Sequence, residues 1–169
     1  MAGYNAGYQD GVDKVAKDSV SEETEFVDLG LPSGTLWSSD YVKDDNGKVI
    51  YVTQENNAAY EIPTYEQFKE LMDECKWEQK SEKNWTESGF YYWYEWAICL
   101  GPNGNKITFE KTGYYEATDS LTRTSEIFFW LNNKEYFHNN CASITFNSLN
   151  IGSEKMFSGY KLPIRLVKR

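Results

Sequence analysis

The clearest helix in this sequence is short, and what surrounds it limits the fold it can join. Pro63 precedes Thr64, whose hydroxyl can cap a helix while Gln67, three residues on, reaches back. Phe68, Leu71, Met72 and Cys75 then fall at the spacing of one helical face, and Lys76 follows where a cation suits the C-terminal end of the helix dipole. On either side the chain reads as short strands parted by turns. Glu25-Phe26-Val27-Asp28-Leu29 alternates as a strand does, Gly30-Leu31-Pro32-Ser33-Gly34 turns the chain, and Thr35-Leu36-Trp37 resumes extended pairing with Trp37 directed inward. Asp44-Asp45-Asn46-Gly47 is a turn before the β-branched run Val49-Ile50-Tyr51-Val52-Thr53. Further strand candidates are the aromatic run 90–96 and residues 106–109, 127–131, 142–146 and 162–167, with Gly101-Pro102-Asn103-Gly104-Asn105 as a turn. One helix packed on short, mainly antiparallel strands predicts an α+β domain.

Such a domain must be held together largely by rings. Aromatic residues make up 17% of the 169, with six Trp, thirteen Tyr and nine Phe, a composition that favours short strands and recognition surfaces. The length fits one domain plus a short appendage. The net charge of −9 is uneven, with 17 acidic and 6 basic residues in positions 21–96 against 6 acidic and 9 basic in positions 97–169. No basic stripe of useful density is present, so nucleic acid is not an expected partner. Cys75, Cys99 and Cys141 are widely spaced, without a CxxC pair or a histidine cluster, and read as free buried thiols rather than a zinc site. The start, MAGYNAGYQD, has neither a basic n-region nor an apolar h-region, and no stretch reaches membrane-spanning length, so membrane insertion is not expected.

Residues 1–20 form a separate piece, followed by a polar linker at 21–25 and a globular domain at 26–169. Gly3, Gly7 and Gly11 recur every four residues beside Tyr4, Tyr8 and Val12, which on a helix makes a small-residue ridge next to an aromatic one. Three glycines each cost a free helix about 1 kcal/mol relative to alanine, so a helix here needs a partner that uses the close backbone approach. These six residues are therefore expected to dock or self-associate; the competing expectation is a disordered tail.

Several blocks, taken in order, carry a family resemblance. Val27-Asp28-Leu29-Gly30-Leu31-Pro32-Ser33-Gly34-Thr35-Leu36-Trp37 is the most specific; Ile62-Pro63-Thr64 with Cys75-Lys76-Trp77, then Gly101-Pro102-Asn103-Gly104-Asn105, Phe128-Phe129-Trp130 and Pro163-Ile164-Arg165-Leu166-Val167 follow it. Over residues 26–167 the chain resembles a domain abundant in Bacteroidetes proteins and their phages. That family is similar to the formylglycine-generating-enzyme type of C-type-lectin-like fold, also used by the variable receptor-binding proteins of diversity-generating retroelements. The resemblance implies a scaffold that displays variable loops to a ligand. Between Trp37 and Ile62 the chain lacks the family's Tyr-Gly-Asp-Tyr-Phe-Ala-Trp-Gly segment, and Ile-Arg-Leu stands where the family ends in Val-Arg-Pro.

Candidate site residues divide into three groups. Residues 132–150 hold six asparagines, Asn132, Asn133, Asn139, Asn140, Asn147 and Asn150, interleaved with Tyr136, Phe137 and the single histidine, His138. Amide donors and acceptors beside rigid rings make an adaptable contact surface, so Tyr136, His138, Asn139, Asn140, Asn147 and Asn150 are the ligand-binding candidates, against ordinary turn chemistry as the rival. In the run Phe90-Tyr91-Tyr92-Trp93-Tyr94-Glu95-Trp96, strand alternation lets at most half of the rings into a core, and the rest need a ligand or a partner subunit as cover. Arg165, set among Leu162, Ile164, Leu166 and Val167, needs a carboxylate or carbonyl partner if buried, and like Trp37 and Trp130 it reads as structural. With one histidine there is no nucleophile, base and orienter set, and Cys99 and Cys141 stand outside the motif of the formylglycine-generating enzymes' oxidative pair. Neither metal nor cofactor is expected.

These readings predict a non-enzymatic phage virion surface protein, such as a head fibre, capsid decoration or tail-associated adhesin. Made in the host cytoplasm, it would dock to a capsid or tail protein through residues 1–20, self-associate as a homo-oligomer such as a trimer, and offer a lectin-like domain to a host surface or glycan. A bacterial surface or secreted glycan-binding domain is the alternative expectation, and an enzyme of the formylglycine-generating type the third.

Overall fold

Among the residues that the computed structural model describes, 24–116, 120–132 and 139–169, the one α-helix, α1, spans Tyr65–Glu74. Its start is the expected capping box: the Gln67 N–H donates to Thr64 Oγ1 at 3.1 Å, and the Thr64 N–H donates to Gln67 Oε1 at 2.9 Å. Phe68 and Leu71 are buried, and Cys75 ends the helix in an extended conformation. Lys76, expected to serve the helix end, instead opens a strand. The segment 1–20 and its candidates Gly3, Tyr4, Gly7, Tyr8, Gly11 and Val12 lie outside the described residues, as do Tyr136 and His138.

The strands in chain order are β1 (Phe26–Asp28), β2 (Leu36–Tyr41), β3 (Tyr51–Val52), β4 (Lys76–Trp85), β5 (Tyr91–Leu100), β6 (Lys106–Glu110), β7 (Tyr114–Tyr115), β8 (Leu121–Thr122), β9 (Ile127–Trp130), β10 (Cys141–Thr145), β11 (Asn150–Glu154), β12 (Leu162–Pro163) and β13 (Arg165–Lys168). They pair antiparallel in small sheets, β1-β2-β13, β4-β5-β6, β11-β10-β9, β12-β3 and β7-β8, so the domain is α+β with most of its regular structure in antiparallel strands. Three sequence expectations change. The run 49–53 forms a strand only at Tyr51–Val52, with Val49 held in a single bridge to Lys43, the segment 162–167 divides at Ile164 with a register shift in the ladder that follows, and the polar stretch 76–85 is a ten-residue strand.

Strand β9 sits between two cores because all four of its residues are buried. Ile127 and Phe129 face one cluster with Trp37, Phe68, Leu71 and Phe109, while Phe128 and Trp130 face the other with Leu162, Ile164 and Leu166. Phe129 is the hub of the first: Phe109 stacks on it at 5.6 Å, and Phe68 and Trp37 meet it edge-on at 5.4 and 6.3 Å. In the second, Trp130 Nε1 donates to the Val52 carbonyl at 2.6 Å.

Two of the sequence blocks interlock. Gly101 lies so close to Leu29 that a Cβ there would run into the Leu29 carbonyl, and Asn103 and Asn105 both donate from Nδ2 to the Asp28 carbonyl, at 2.8 and 2.9 Å. On the other side of the first block, Ser33 donates to the Glu70 carboxylate from N–H and hydroxyl, at 3.0 and 2.6 Å, and so ties the turn to α1. The Gly30–Gly34 turn is thereby clamped between the Gly101–Asn105 turn and the helix.

Candidate functional site

The feature that stands out from this body is the outer half of the β4–β5 hairpin. The two strands pair over their full ten residues, from Lys76 opposite Leu100 to Trp85 opposite Tyr91, but β6 joins β5 only at Trp96–Leu100. Beyond Trp96 the hairpin is a two-stranded ribbon. Its tip is a tight turn: the Thr86 N–H donates to the Phe90 carbonyl at 2.7 Å, and Gly89, at φ +87°, donates to the Thr86 carbonyl at 3.0 Å. A residue with a Cβ would be strained at that φ.

Alternation assigns the rings to two faces. Ala97 and Cys99 are buried, so their side of the sheet is the core side, and Tyr91 and Trp93 continue it outward with Trp85 and Lys83 opposite them. Tyr92, Tyr94 and Trp96 line the other side, facing Asn84, Glu82 and Lys80. Trp85, Phe90, Tyr91, Tyr92 and Trp93 are 52–72% exposed. On the core-side face the Trp85 and Tyr91 rings pack at 5.4 Å, and Lys83 Nζ stands 4.8 and 4.1 Å from their centroids. On the other face the Tyr94 and Trp96 rings are 5.5 Å apart. Burial, with the Glu110 carboxylate adding, pushes the Tyr94 phenol up to about 12.

The ribbon is anchored where it leaves the body. Glu95 accepts from Lys111 Nζ at 2.7 Å and from Gln79 Nε2 on its other oxygen, and Lys111 in turn lies over the Phe146 ring at 5.0 Å. Below this point Trp77 stacks on Phe109 at 5.4 Å and donates from Nε1 to the Leu71 carbonyl at 3.3 Å. The exposed rings therefore project from a fixed base on both faces of the ribbon, Trp85, Tyr91 and Trp93 on one and Tyr92 on the other, with Glu82, Glu87 and Lys80 exposed around them. Exposed apolar patches with polar rims mark interaction sites.

The asparagine candidates do not share one face. Asn139 and Asn140 precede β10, whereas Asn147 and Asn150 lie at its far end, so strand rise puts the pairs roughly 20 Å apart. Asn140 is buried and uses its amide internally, accepting from the Met156 N–H at 2.6 Å and donating to the Met156 carbonyl at 2.7 Å and to Gln54 Oε1 at 3.2 Å. Asn139 donates to the Ser153 carbonyl and hydroxyl, at 3.2 and 3.0 Å. Asn147 has φ +69° in the exposed β10–β11 turn, which is the turn chemistry weighed against binding, and Asn150 is exposed at the start of β11. Near the Asn139–Asn140 end, Phe157, exposed in the turn after Met156, packs edge-on against Tyr160 at 5.4 Å.

Trp37, Trp130 and Arg165 are all fully buried. Arg165 donates from Nε to the Ser38 carbonyl at 3.0 Å, and its guanidinium lies 4.2 and 4.9 Å from the Phe109 and Tyr41 ring centroids. Its terminal nitrogens have no hydrogen-bond partner among the described residues; burial holds its pKa below the ordinary arginine range and pushes the Tyr41 phenol up. The thiols are buried too. Hydrogen bonding to Cys75 together with burial pushes the Cys99 thiol up, while Cys141 faces the Glu154 carbonyl at 3.4 Å and is pushed up to about 12 by burial. Among the described residues no group of three or more His, Cys, Asp or Glu is placed to hold a metal, and no helix is long and apolar enough to cross a membrane.

Comparison with known proteins gives no match at the level of a family model, a curated protein or a solved structure.

Proposed function

We propose that this chain is a non-enzymatic binding module of C-type-lectin-like type, in which the ribbon tip stacks against a saccharide of a host cell surface. The observation that carries the reading is the set of five exposed rings held on a two-stranded ribbon whose base is stacked into the core. Flat ring faces match the apolar faces of sugars, and Lys83, Asn84 and Glu82 stand beside them to meet hydroxyl groups. The placement of the protein on a phage particle as a head fibre, decoration or tail-associated adhesin rests on the family resemblance, with residues 1–20 as the attachment to a capsid or tail protein. Against an enzyme of the formylglycine-generating type stand the burial of Cys99 and Cys141 and their separate neighbours.

The test is retention of the labelled full-length protein on envelope glycans of candidate host cells. Replacing Trp85, Tyr91 and Trp93 with alanine is expected to weaken retention at least about tenfold, since buried aromatic anchors dominate such contacts. Retention equal to wild type would overturn the assignment of the ribbon. Antibody labelling of purified particles tests the location, and its absence from the particle would move the same binding role to a bacterial surface.

A further inference from the structure

We propose that the free edge of β4 is a self-pairing edge, and that two copies of this chain join there as an antiparallel, two-fold symmetric dimer. In the sheet β4-β5-β6, β4 lies at the border, and among the described residues no strand pairs with its outer side. The bond from the Thr86 N–H to the Phe90 carbonyl fixes the alternation of the hairpin ladder, so that even-numbered residues of β4 bond to β5. The bond from the Gly101 N–H to the Asn105 carbonyl requires the same alternation from the β6 side of β5. The N–H and C=O groups of Trp77, Gln79, Ser81 and Lys83 are thereby turned outward, away from β5.

The side chains set the register in which those groups can be used. Lys76, Glu78, Lys80 and Glu82 project in sequence from one face, all exposed, and they alternate in sign. An antiparallel second copy with Gln79 opposite its own Gln79 brings Lys76 against Glu82, Glu78 against Lys80, and both pairs again by symmetry. Every charge then faces its opposite. Moving the axis by one residue, onto Lys80, sets Lys80 against Lys80 and Glu78 against Glu82, which repel. Moving it by two, onto Ser81, keeps the Lys80–Glu82 contacts but turns Glu78 toward Asn84 and takes Lys76 past the end of the strand. Within one chain the ladder gains little from these charges, since Lys80 reaches only its neighbour Glu78, at 3.8 Å. Charges on an edge strand usually guard against pairing; here their alternation makes the guard selective for an antiparallel copy of itself.

The same register carries Lys83 alongside the last turn of the second copy's α1, where Glu74 is exposed and Asp73 is already paired with Lys69 at 2.7 Å. The product is a continuous six-stranded sheet with its two ribbon tips pointing in opposite directions, roughly 40 Å apart by strand rise. Two tips on one particle component would let weak ribbon contacts act together. The pairing itself stands whether or not the ribbon binds a saccharide.

Sedimentation equilibrium of the full chain over a range of concentrations tests the proposal. Wild type is expected to show dimers built on a monomer mass, Lys80→Glu and Glu78→Lys each to weaken that association roughly tenfold or more, and the double variant Glu78→Lys/Lys80→Glu to restore it. Restoration is specific to the Gln79-centred register. Single reversals that leave the mass unchanged, a double variant that stays as weak as the singles, or a wild type that is monomeric throughout would each overturn it. Should the variants fold poorly, amide exchange on wild type decides: the outward N–H groups of Gln79 and Ser81 must slow as concentration rises, and concentration-independent exchange there overturns the proposal.

Discussion

The inner and outer halves of the β4–β5 hairpin pair alike as strands and meet opposite fates. The inner half places Ala97 and Cys99 in the core and stacks Trp77 on Phe109, whereas the outer half leaves Trp85 and Phe90–Trp93 facing solvent. Strand propensity does not separate them, because Trp77, Trp96 and Ile98 in the inner half suit strands as Trp85 and Tyr91–Tyr94 do in the outer. The difference is cover: β6 pairs with β5 only as far as Trp96, and α1 reaches the hairpin at Trp77 through the Leu71 carbonyl. An aromatic strand is thus a core element or a contact surface according to what lies beside it, and Glu95 with Lys111 marks where one becomes the other.

The strongest way to break this comparison is to empty the inner half. Phe109→Ala removes a fully buried ring between Trp77 and Phe129 and is expected to lower stability by about 3–5 kcal/mol in urea unfolding. The matching deletion in the outer half, Trp85, Tyr91 and Trp93 to alanine, is expected to change unfolding by about 0.5 kcal/mol or less per site while weakening ligand retention at least about tenfold. A loss of several kcal/mol there would show the tip to be structural. Between the two, Glu95→Gln weakens the junction; it is expected to cost about 1 kcal/mol and to speed amide exchange at Tyr92 and Tyr94, whose N–H groups bond to β4, while leaving 97–100 unchanged.

The smallest effect concerns alkaline pH. Burial pushes both Tyr94, at the ribbon base, and Tyr51, in the body, up to about 12 from the ordinary 10.0. Below pH 10 both phenols are protonated in the folded and unfolded chain alike. Between pH 10 and 12 the unfolded chain gives up protons that the folded one retains, so stability falls as pH rises through that window. Tyr94→Phe should flatten part of that fall, as read by the midpoint of thermal unfolding across the range.

Much of the architecture was legible in local pattern. The Thr64 capping box, the turn at 101–105, the inward Trp37 and the strand at 127–131 all depend on neighbours within a few residues, and each is found close to where its pattern lies. The sequence also implied that only about half of the run 90–96 could be core. Strand β4 was not legible, because Lys76-Trp77-Glu78-Gln79-Lys80-Ser81-Glu82-Lys83-Asn84-Trp85 carries no apolar alternation: Trp77 alone packs against the core, and the outer half, open to water on both faces, has no need of one. The asparagines of 132–150 were legible as a composition, but composition does not record that β10 separates Asn140 from Asn147.

The sequence by itself determined the class of the fold, the site of its helix, and the fact that more rings were present on one strand than a single core face could take. Only the tertiary structure decided which rings were left over. That choice rests on contacts between residues far apart in the chain, Trp77 with Phe109 and Glu95 with Lys111, and on the short reach of β6. Alternation along a strand assigns side chains to faces, but it carries no information about whether another element will arrive to cover them.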